Sequence, residues 1–324
     1  MTLLEVKNLE VRFPLRQGEL IALNNVSFSL NRGERLGIVG ESGAGKSVAA
    51  FSILNLIGKP GYIAAGEVRF EGRDLAKCSE REMQQIRGNR ISMIFQDPMM
   101  TLNPVLTIGA QMIECLHAHQ QISVAEAREI ALEKLRQVHI PSPEARLQQY
   151  PHELSGGMRQ RVVIAIALLS QPAVIIADEP TTALDVTIQA EIMSLLLELC
   201  DKEHLALILI THDLGVVAQT TQRTIVMYAG HIVEEGPTEQ LIRTARHPYT
   251  QGLINALPER TPAGQPLNQI PGVMPPLTSI PPGCAFHPRC QQVMPICRSQ
   301  LPAYSTAVAS RVACHWVAQQ ENSR

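Results

Sequence analysis

Basic charge is not in excess in this chain: 28 Lys and Arg stand against 30 Asp and Glu, a formal net charge of -2. It therefore lacks the general positive field that binding along a phosphate backbone requires, and nucleic acid is disfavoured as its main partner. Long apolar runs are missing too. The most apolar stretch, Val162 to Ala177, is broken by Ser170, Gln171 and Pro172, and falls short of the roughly 20 apolar residues that span a bilayer. Any membrane association is expected to be peripheral. Met1 to Phe13 contain no basic segment leading into an uninterrupted apolar run, so no secretory leader is read there and the protein is expected inside the cell. The sequence shows neither an internal repeat nor an extended low-complexity tract. Its seven cysteines do not imply a disulfide scaffold, because a chain of this length in a reducing compartment keeps its thiols reduced.

What is present is a globular balance. Hydrophobic residues make up 45% of the 324 positions and charged residues 18%, enough to bury a large core, with room for a smaller appendage. Leu3 to Val6 and Ile21 to Leu30 read as strands about a turn at Gly18, a β-rich beginning. Arg35 to Val39 reads as a buried strand, followed by a glycine-rich turn and the apolar stretch Val48 to Ile57, which together make a strand, loop and helix. Pro98 to Pro151 reads as helical, with a helix over Ala125 to Val138 bounded by Ser123 and Pro141. Ala173 to Ala177 and Leu205 to Ile210 are continuous apolar runs, the pattern of parallel strands buried on both faces. A helix over about Thr187 to Lys202 supplies the crossover between them. Past His247 prolines crowd at 271, 275, 276, 281 and 282, marking a tail held by something other than a large core.

Gly40-Glu41-Ser42-Gly43-Ala44-Gly45-Lys46-Ser47 matches the phosphate-loop pattern in its required context, after a strand and opening a helix. Gly40, Gly43 and Gly45 let backbone N–H groups approach an anion, and the helix turns its positive end towards it. Lys46 suits the β- and γ-phosphates of ATP, and Ser47 suits Mg²⁺. Downstream, the run Val174 to Ala177 ends in Asp178-Glu179. Two carboxylates thus emerge at a strand's carboxyl end, where ligands bind in α/β sheets. Asp178 suits Mg²⁺, and Glu179 suits a general base for water.

Leu154-Ser155-Gly156-Gly157-Met158, placed between these two motifs, resembles the signature of the ABC ATPases. Gln96 is similar to that family's Q-loop, where it would also touch Mg²⁺, Thr182-Ala183-Leu184-Asp185 to its D-loop, and His212 to its switch histidine. Singly, each has a plain alternative: Gln96 a surface residue, Asp185 a helix cap, His212 a strand-end histidine. The resemblance implies a fold of three parts: a parallel-sheet core, an antiparallel β subdomain and a helical signature subdomain over about 97–160, all within an ATPase domain of 1–245. It implies that Ser42 and the other loop residues hold nucleotide and that Gln96 reports the site to membrane subunits. Asp185 counts among the nucleotide-binding residues, and Ser155, Gly156 and Gly157 would face the nucleotide of a partner, so that hydrolysis needs a dimer. Phe13 resembles the residue that stacks on adenine, or else packs in the core. Met158 stands where the family usually has glutamine and Thr182 where it has serine; neither change removes a catalytic group.

Phe95-Gln96-Asp97-Pro98 with Leu102-Asn103-Pro104, and Arg246-His247-Pro248-Tyr249-Thr250, look like the ATPases of dipeptide and oligopeptide importers. That likeness implies a second, homologous ATPase as partner, two permease subunits, an extracytoplasmic binding protein, and a place on the cytoplasmic face of the bacterial inner membrane. The same subfamily serves nickel, glutathione and antimicrobial peptides, which remain alternative cargoes. A soluble ABC ATPase acting on nucleic acid or ribosomes is the rival, and would be expected to show two cassettes, a coiled-coil insertion or a basic surface. In the extension 246–324, Cys284, Cys290, Cys297 and Cys314 are spaced C-x5-C-x6-C-x16-C. Four thiolates suit a [4Fe–4S] cluster or a Cys₄ zinc site, and spacings wider than those of zinc modules favour iron–sulfur, as in some importer ATPases. Reduced, unligated thiols are the plain alternative, as they are for Cys78, Cys115 and Cys200.

Overall fold

The computed structural model describes the chain except for Met1, Gln17, Ala183 and residues 261–264, 266–267, 306–309 and 323–324. It divides into two compact units, one of Met1–Asn31, Arg35–Lys77 and Leu209–Arg324, the other of Arg32–Glu34 and Cys78–Ile208.

In the first unit β1 (Thr2–Leu15) and β2 (Gly18–Asn31) pair antiparallel. Leu4 and Val6 are buried on β1, and so are Leu9 and Val11, so the buried parity changes from even to odd. The change comes from a bulge between Val6 and Leu9, where Asn8 adopts φ 47°. One extra residue moves the apolar set back onto the core face. β3 (Arg35–Val39) runs into the phosphate loop, and α1 (Lys46–Ile53) leaves it. β4 (Tyr62–Phe70) and β5 (Arg73–Asp74) complete an antiparallel sheet in the order β2-β1-β4-β5.

The second unit opens with α2 (Glu80–Gln84), held at its start by a Ser79–Glu82 capping box, and β6 (Ile91–Ile94). Helices α3 (Pro98–Thr101), α4 (Ile108–His117), α5 (Val124–Gln137), α6 (Pro143–Arg146) and α7 (Gly156–Ala167) follow. Thr107, Ser123 and Ser155 accept hydrogen bonds at the N-termini of α4, α5 and α7, which explains where these helices begin. Every residue of β7 (Val174–Asp178) is buried. β7 pairs in parallel with β6, Ile91 opposite Val174 and Ile94 opposite Ala177. α8 (Val186–Glu203) then leads to the fully buried β8 (Ala206–Thr211), within which the chain returns to the first unit.

α9 (Leu214–Thr220) is followed by β9 (Arg223–Tyr228), parallel to β3, and β10 (His231–Pro237), antiparallel to β9. α10 (Thr238–Thr244) and α11 (Pro248–Asn255) lead into the proline-rich tail. There β11 (Tyr304–Ser305) and β12 (Arg311–Ala313) extend the sheet past β10, before the closing α12 (His315–Asn322). The tail has more core than its composition suggests. Phe286 packs against Tyr228 and Tyr249 with ring centroids 5.3 Å away in each case, and Val312, Cys314 and Val317 form a small cluster with Trp316. Among the described residues no helix is long and apolar enough to cross a membrane.

Candidate functional site

The phosphate loop owes its shape to its glycines. Gly40 has φ 153°, and a Cβ there would fall 2.3 Å from the Met227 carbonyl oxygen. Gly45 has φ 102°, and its Cβ would lie 3.0 Å from the Ala22 carbonyl. No other residue fits either place without moving backbone. Gly45 is also the N-cap of α1 and offers no capping side chain, so the first N–H groups of that helix point at a position suited to an anion. The buried Lys46 turns its Nζ back onto the loop, donating to Gly40 O at 2.8 Å and Glu41 O at 3.0 Å. Ser42 and Gly43 are exposed, and Ser47 is half-buried. Phe13 is half-buried, its ring seated so closely on Gly61 that a Cβ there would meet it at 2.4 Å.

In the second unit the apolar strand β7 delivers Asp178, 5% exposed, and then Glu179. Glu179 adopts φ 46°, a backbone region that few non-glycine residues occupy and that often marks functional turns. Its Oε2 accepts from Gln96 Nε2 at 3.1 Å and from Thr182 Oγ1 at 3.0 Å. The structure thus brings Gln96 to Glu179, 83 positions away in sequence, beside the local contact from Thr182. Ser155 accepts from the Met158 N–H at 3.3 Å and caps α7. Gly157 lies so near Ile188 of α8 that a Cβ would approach it to 2.9 Å. Asp185 occupies the N-cap position of α8, but its side chain makes no capping hydrogen bond there. Ala183, in the proposed D-loop, lies outside the described residues.

His212 in the first unit is exposed just beyond β8. The turn that carries it is tied down by Asp213, which accepts from the N–H groups of Gly215 at 2.8 Å and Val216 at 3.2 Å.

The segment 246–250 has a local logic that sequence reading did not supply. Buried Glu234 accepts from the backbone N–H groups of Arg246 at 2.8 Å and His247 at 3.0 Å. His247 Nδ1 accepts from the Tyr249 N–H at 3.0 Å and caps α11. Burial pushes the His247 imidazole down to about 3. The unfolded chain, with its imidazole near about 6.5, takes the proton first, so stability falls as pH falls through that window. This group alone is expected to lower stability by about 2 kcal/mol between about pH 7.5 and about pH 5. Chemical denaturation at both pH values should show that loss shrinking in His247→Asn, which keeps a capping acceptor.

The four tail cysteines lie near enough to affect one another's titration. Cys284 is pushed up to about 12, first by burial and then by the nearby Cys297, Cys314 and Cys290. Burial also raises Cys290 and Cys314; Cys290 further feels Cys314 and Cys297, and Cys314 feels Cys297. The Cys284 N–H donates to Cys297 O at 2.9 Å, and the Gln292 N–H reaches Cys290 Sγ at 3.3 Å. Thiolates that repel one another when alone are stabilised when gathered around a metal. The set is not ready-made, however. Among the described residues no three His, Cys, Asp or Glu side chains form a group placed to hold a metal ion.

Comparison with known proteins bears on the family and the fold. A family model described as ABC transporter matches residues 23–182, and one described as the C-terminal region of oligopeptide and dipeptide transporters matches residues 233–297. The chain is 47% identical over 317 residues to a dipeptide transport ATP-binding protein of Escherichia coli, covering 98% of this chain and 97% of that one. It is 52% identical over 302 residues to an oligopeptide transport ATP-binding protein of Bacillus subtilis, covering 93% and 84%. Among solved structures, a bacterial ABC transporter cassette determined as a dimer superposes with a TM-score of 0.65 at 31% identity, over 72% of this chain and 98% of that one. A component of an ABC transporter complex from Clostridium perfringens superposes with a TM-score of 0.64 at 26% identity, over 75% and 91%.

Proposed function

The chain belongs to the ABC transporter ATP-binding proteins of the dipeptide and oligopeptide importers, and from that premise we propose how its residues divide the work. It is an ATPase that energises peptide import. The observation that carries this reading is the joining in one chain of a complete phosphate loop, with Lys46 buried against its own carbonyls, to a peptide-transporter C-terminal region.

Phosphoryl transfer asks for positioning and charge neutralisation more than for covalent chemistry. Gly40, Ser42, Gly43 and Gly45 cradle the phosphates, and Lys46 exchanges its carbonyl partners for phosphate oxygens. Ser47, Asp178 and Gln96 are the residues that would hold Mg²⁺. Glu179 takes a proton from water, held for that task by Gln96 and Thr182, while His212 steadies the γ-phosphate. Phe13 stacks on adenine. Asp185 serves the nucleotide site, and Ser155, Gly156 and Gly157 act on the nucleotide held by a second, homologous ATPase. Permease subunits in the membrane receive the resulting motion, fed by an extracytoplasmic binding protein, with this chain on the inner face of the bacterial membrane. Within the extension 246–324, Cys284, Cys290, Cys297 and Cys314 are the residues that would hold a [4Fe–4S] cluster, with zinc as the alternative. When bound, such a group supplies four metal–thiolate bonds that cross-link a segment with a small core.

Anaerobic purification of the complex from its native host tests the assembly. The expected result is two permease subunits and a second ATPase in the eluate, with iron and sulfide in equal amounts. Zinc alone would replace iron–sulfur in this reading, and ribosomes without permeases would remove the transport assignment while leaving the ATPase.

A further inference from the structure

Glu41, the first variable residue of the phosphate loop, is held by the far end of the chain. Its backbone N–H donates to the Tyr249 hydroxyl at 2.9 Å. Its carboxylate oxygens accept from Arg289 Nη1 at 3.1 and 3.0 Å. Its carbonyl accepts from Lys46 Nζ at 3.0 Å and from the Ala44 N–H at 3.1 Å. Every polar group of this one residue is engaged: the amide and the carboxylate by the tail side, the carbonyl by the loop itself.

Arg289 is built for such a hold. Its side chain is only 6% exposed. Nε donates to Pro271 O at 2.9 Å, Nη1 also reaches the Tyr228 hydroxyl at 3.3 Å, and the guanidinium stands 5.9 Å from the ring centroids of both Tyr228 and Phe286. A planar fork fixed from several directions loses little further freedom when it grips a carboxylate, unlike a surface ion pair between two mobile chains. Tyr249 is fully buried, with its ring centroid 4.7 Å from that of Tyr228. Met274 closes on the same loop, its methyl 3.0 Å from where a Cβ on Gly43 would stand.

We propose that Arg289 and Tyr249 are positioning residues for the phosphate loop: they hold Glu41 so that the loop keeps its shape while nucleotide binds, and the folding of the C-terminal region is thereby linked to nucleotide affinity. The proposal rests on the nucleotide-binding role stated above. When phosphate arrives, Lys46 must give up Gly40 O and Glu41 O, the two bonds by which it braces the loop from within. The bonds from Arg289 and Tyr249 change no partner in that exchange, so the backbone N–H groups stay aimed and less ordering is left for the ligand to bring about. Linkage is reciprocal: nucleotide that favours the held loop favours the docked tail by the same factor. Cys290 follows Arg289 directly, so whatever orders the cysteine segment also sets the fork.

The test titrates MgATP into the full-length chain and measures turnover in the assembled transporter. Arg289→Met is expected to weaken MgATP binding about tenfold, and Arg289→Lys to recover part of that loss. Tyr249→Phe is expected to weaken it about threefold with no change of charge, which separates positioning from a simple loss of positive field near the phosphates. Turnover at saturating ATP should stay within about twofold, so that KM moves and kcat does not. Tyr249→Phe keeps the buried ring and serves if Arg289→Met fails to fold. Binding by Tyr249→Phe and a folded Arg289→Met equal to that of the unmodified chain overturns the proposal, as does a fall in kcat at constant KM. Absence of MgATP binding by the unmodified chain would overturn the nucleotide role and this proposal with it.

Discussion

Glu179→Gln is expected to bind ATP as tightly as the unmodified chain and to hydrolyse it about 10²- to 10⁴-fold more slowly, the usual contribution of a positioned general base. The contacts make this substitution a clean one. The Glu179 carboxylate oxygen that accepts from Gln96 Nε2 and Thr182 Oγ1 has a counterpart in the glutamine amide oxygen, so both neighbours keep their acceptor. The turn at 179, with its φ of 46° and its carbonyl accepting from the Thr182 N–H at 3.2 Å, depends on backbone and not on side-chain charge. What the variant loses is the ability to take a proton. Nucleotide binding measured alongside phosphate release separates the two properties. Hydrolysis at the unmodified rate would remove Glu179 from the role of base, while a joint loss of binding and hydrolysis would make it a structural residue of the nucleotide site.

How much of this was legible in the sequence depended on the distance over which each feature is determined. The phosphate loop could be read because Gly40, Gly45 and Lys46 are demanded by backbone geometry and anion chemistry within eight positions. β7 and β8 could be read because strands buried on both faces are continuously apolar, and α5 because Ser123 caps it. The break of parity at Asn8 left no periodic signal, since a bulge is a matter of pairing with β2 and β4. The Glu41–Arg289 pair joins residues 248 positions apart, and neither type is unusual for an exposed loop. The tail was expected to be held by something other than a large core of its own because its prolines are conspicuous, and Phe286 finds partners in Tyr228 and Tyr249, outside the proline-rich segment. The cysteines show the same limit from the other side. Their number and order were plain, but a metal-ready arrangement depends on geometry that spacing does not determine.

Lys46→Met should be the most damaging change to nucleotide binding, weakening it by about 10²-fold or more, in line with the loss of one well-placed charged donor to a phosphate. The size of the effect follows from where the ammonium sits. Lys46 is 6% exposed, with its Nζ on Gly40 O at 2.8 Å and Glu41 O at 3.0 Å, so the charge is already desolvated and aimed before phosphate arrives. Methionine fills the same slot without charge or donor. The fold should survive, because the backbone at Gly40 and Gly45 sits close against the Met227 and Ala22 carbonyls, whereas Lys46 Nζ donates to Gly40 O and Glu41 O, and Glu41 O keeps the Ala44 N–H. Gly40 O and Glu41 O both lose the ammonium donor, at a cost of about 1 kcal/mol for a carbonyl hydrogen bond. Lys46→Arg is no remedy, since a broad planar guanidinium cannot replace a compact ammonium in so closed a slot. Titration with MgATP, paired with a thermal melt, distinguishes the possibilities. Lost binding with Tm lowered by a few degrees makes Lys46 the phosphate ligand. Unchanged binding would make its inward bonds its whole purpose, and the anion site would then have to be carried by the backbone N–H groups of the loop and of α1 alone.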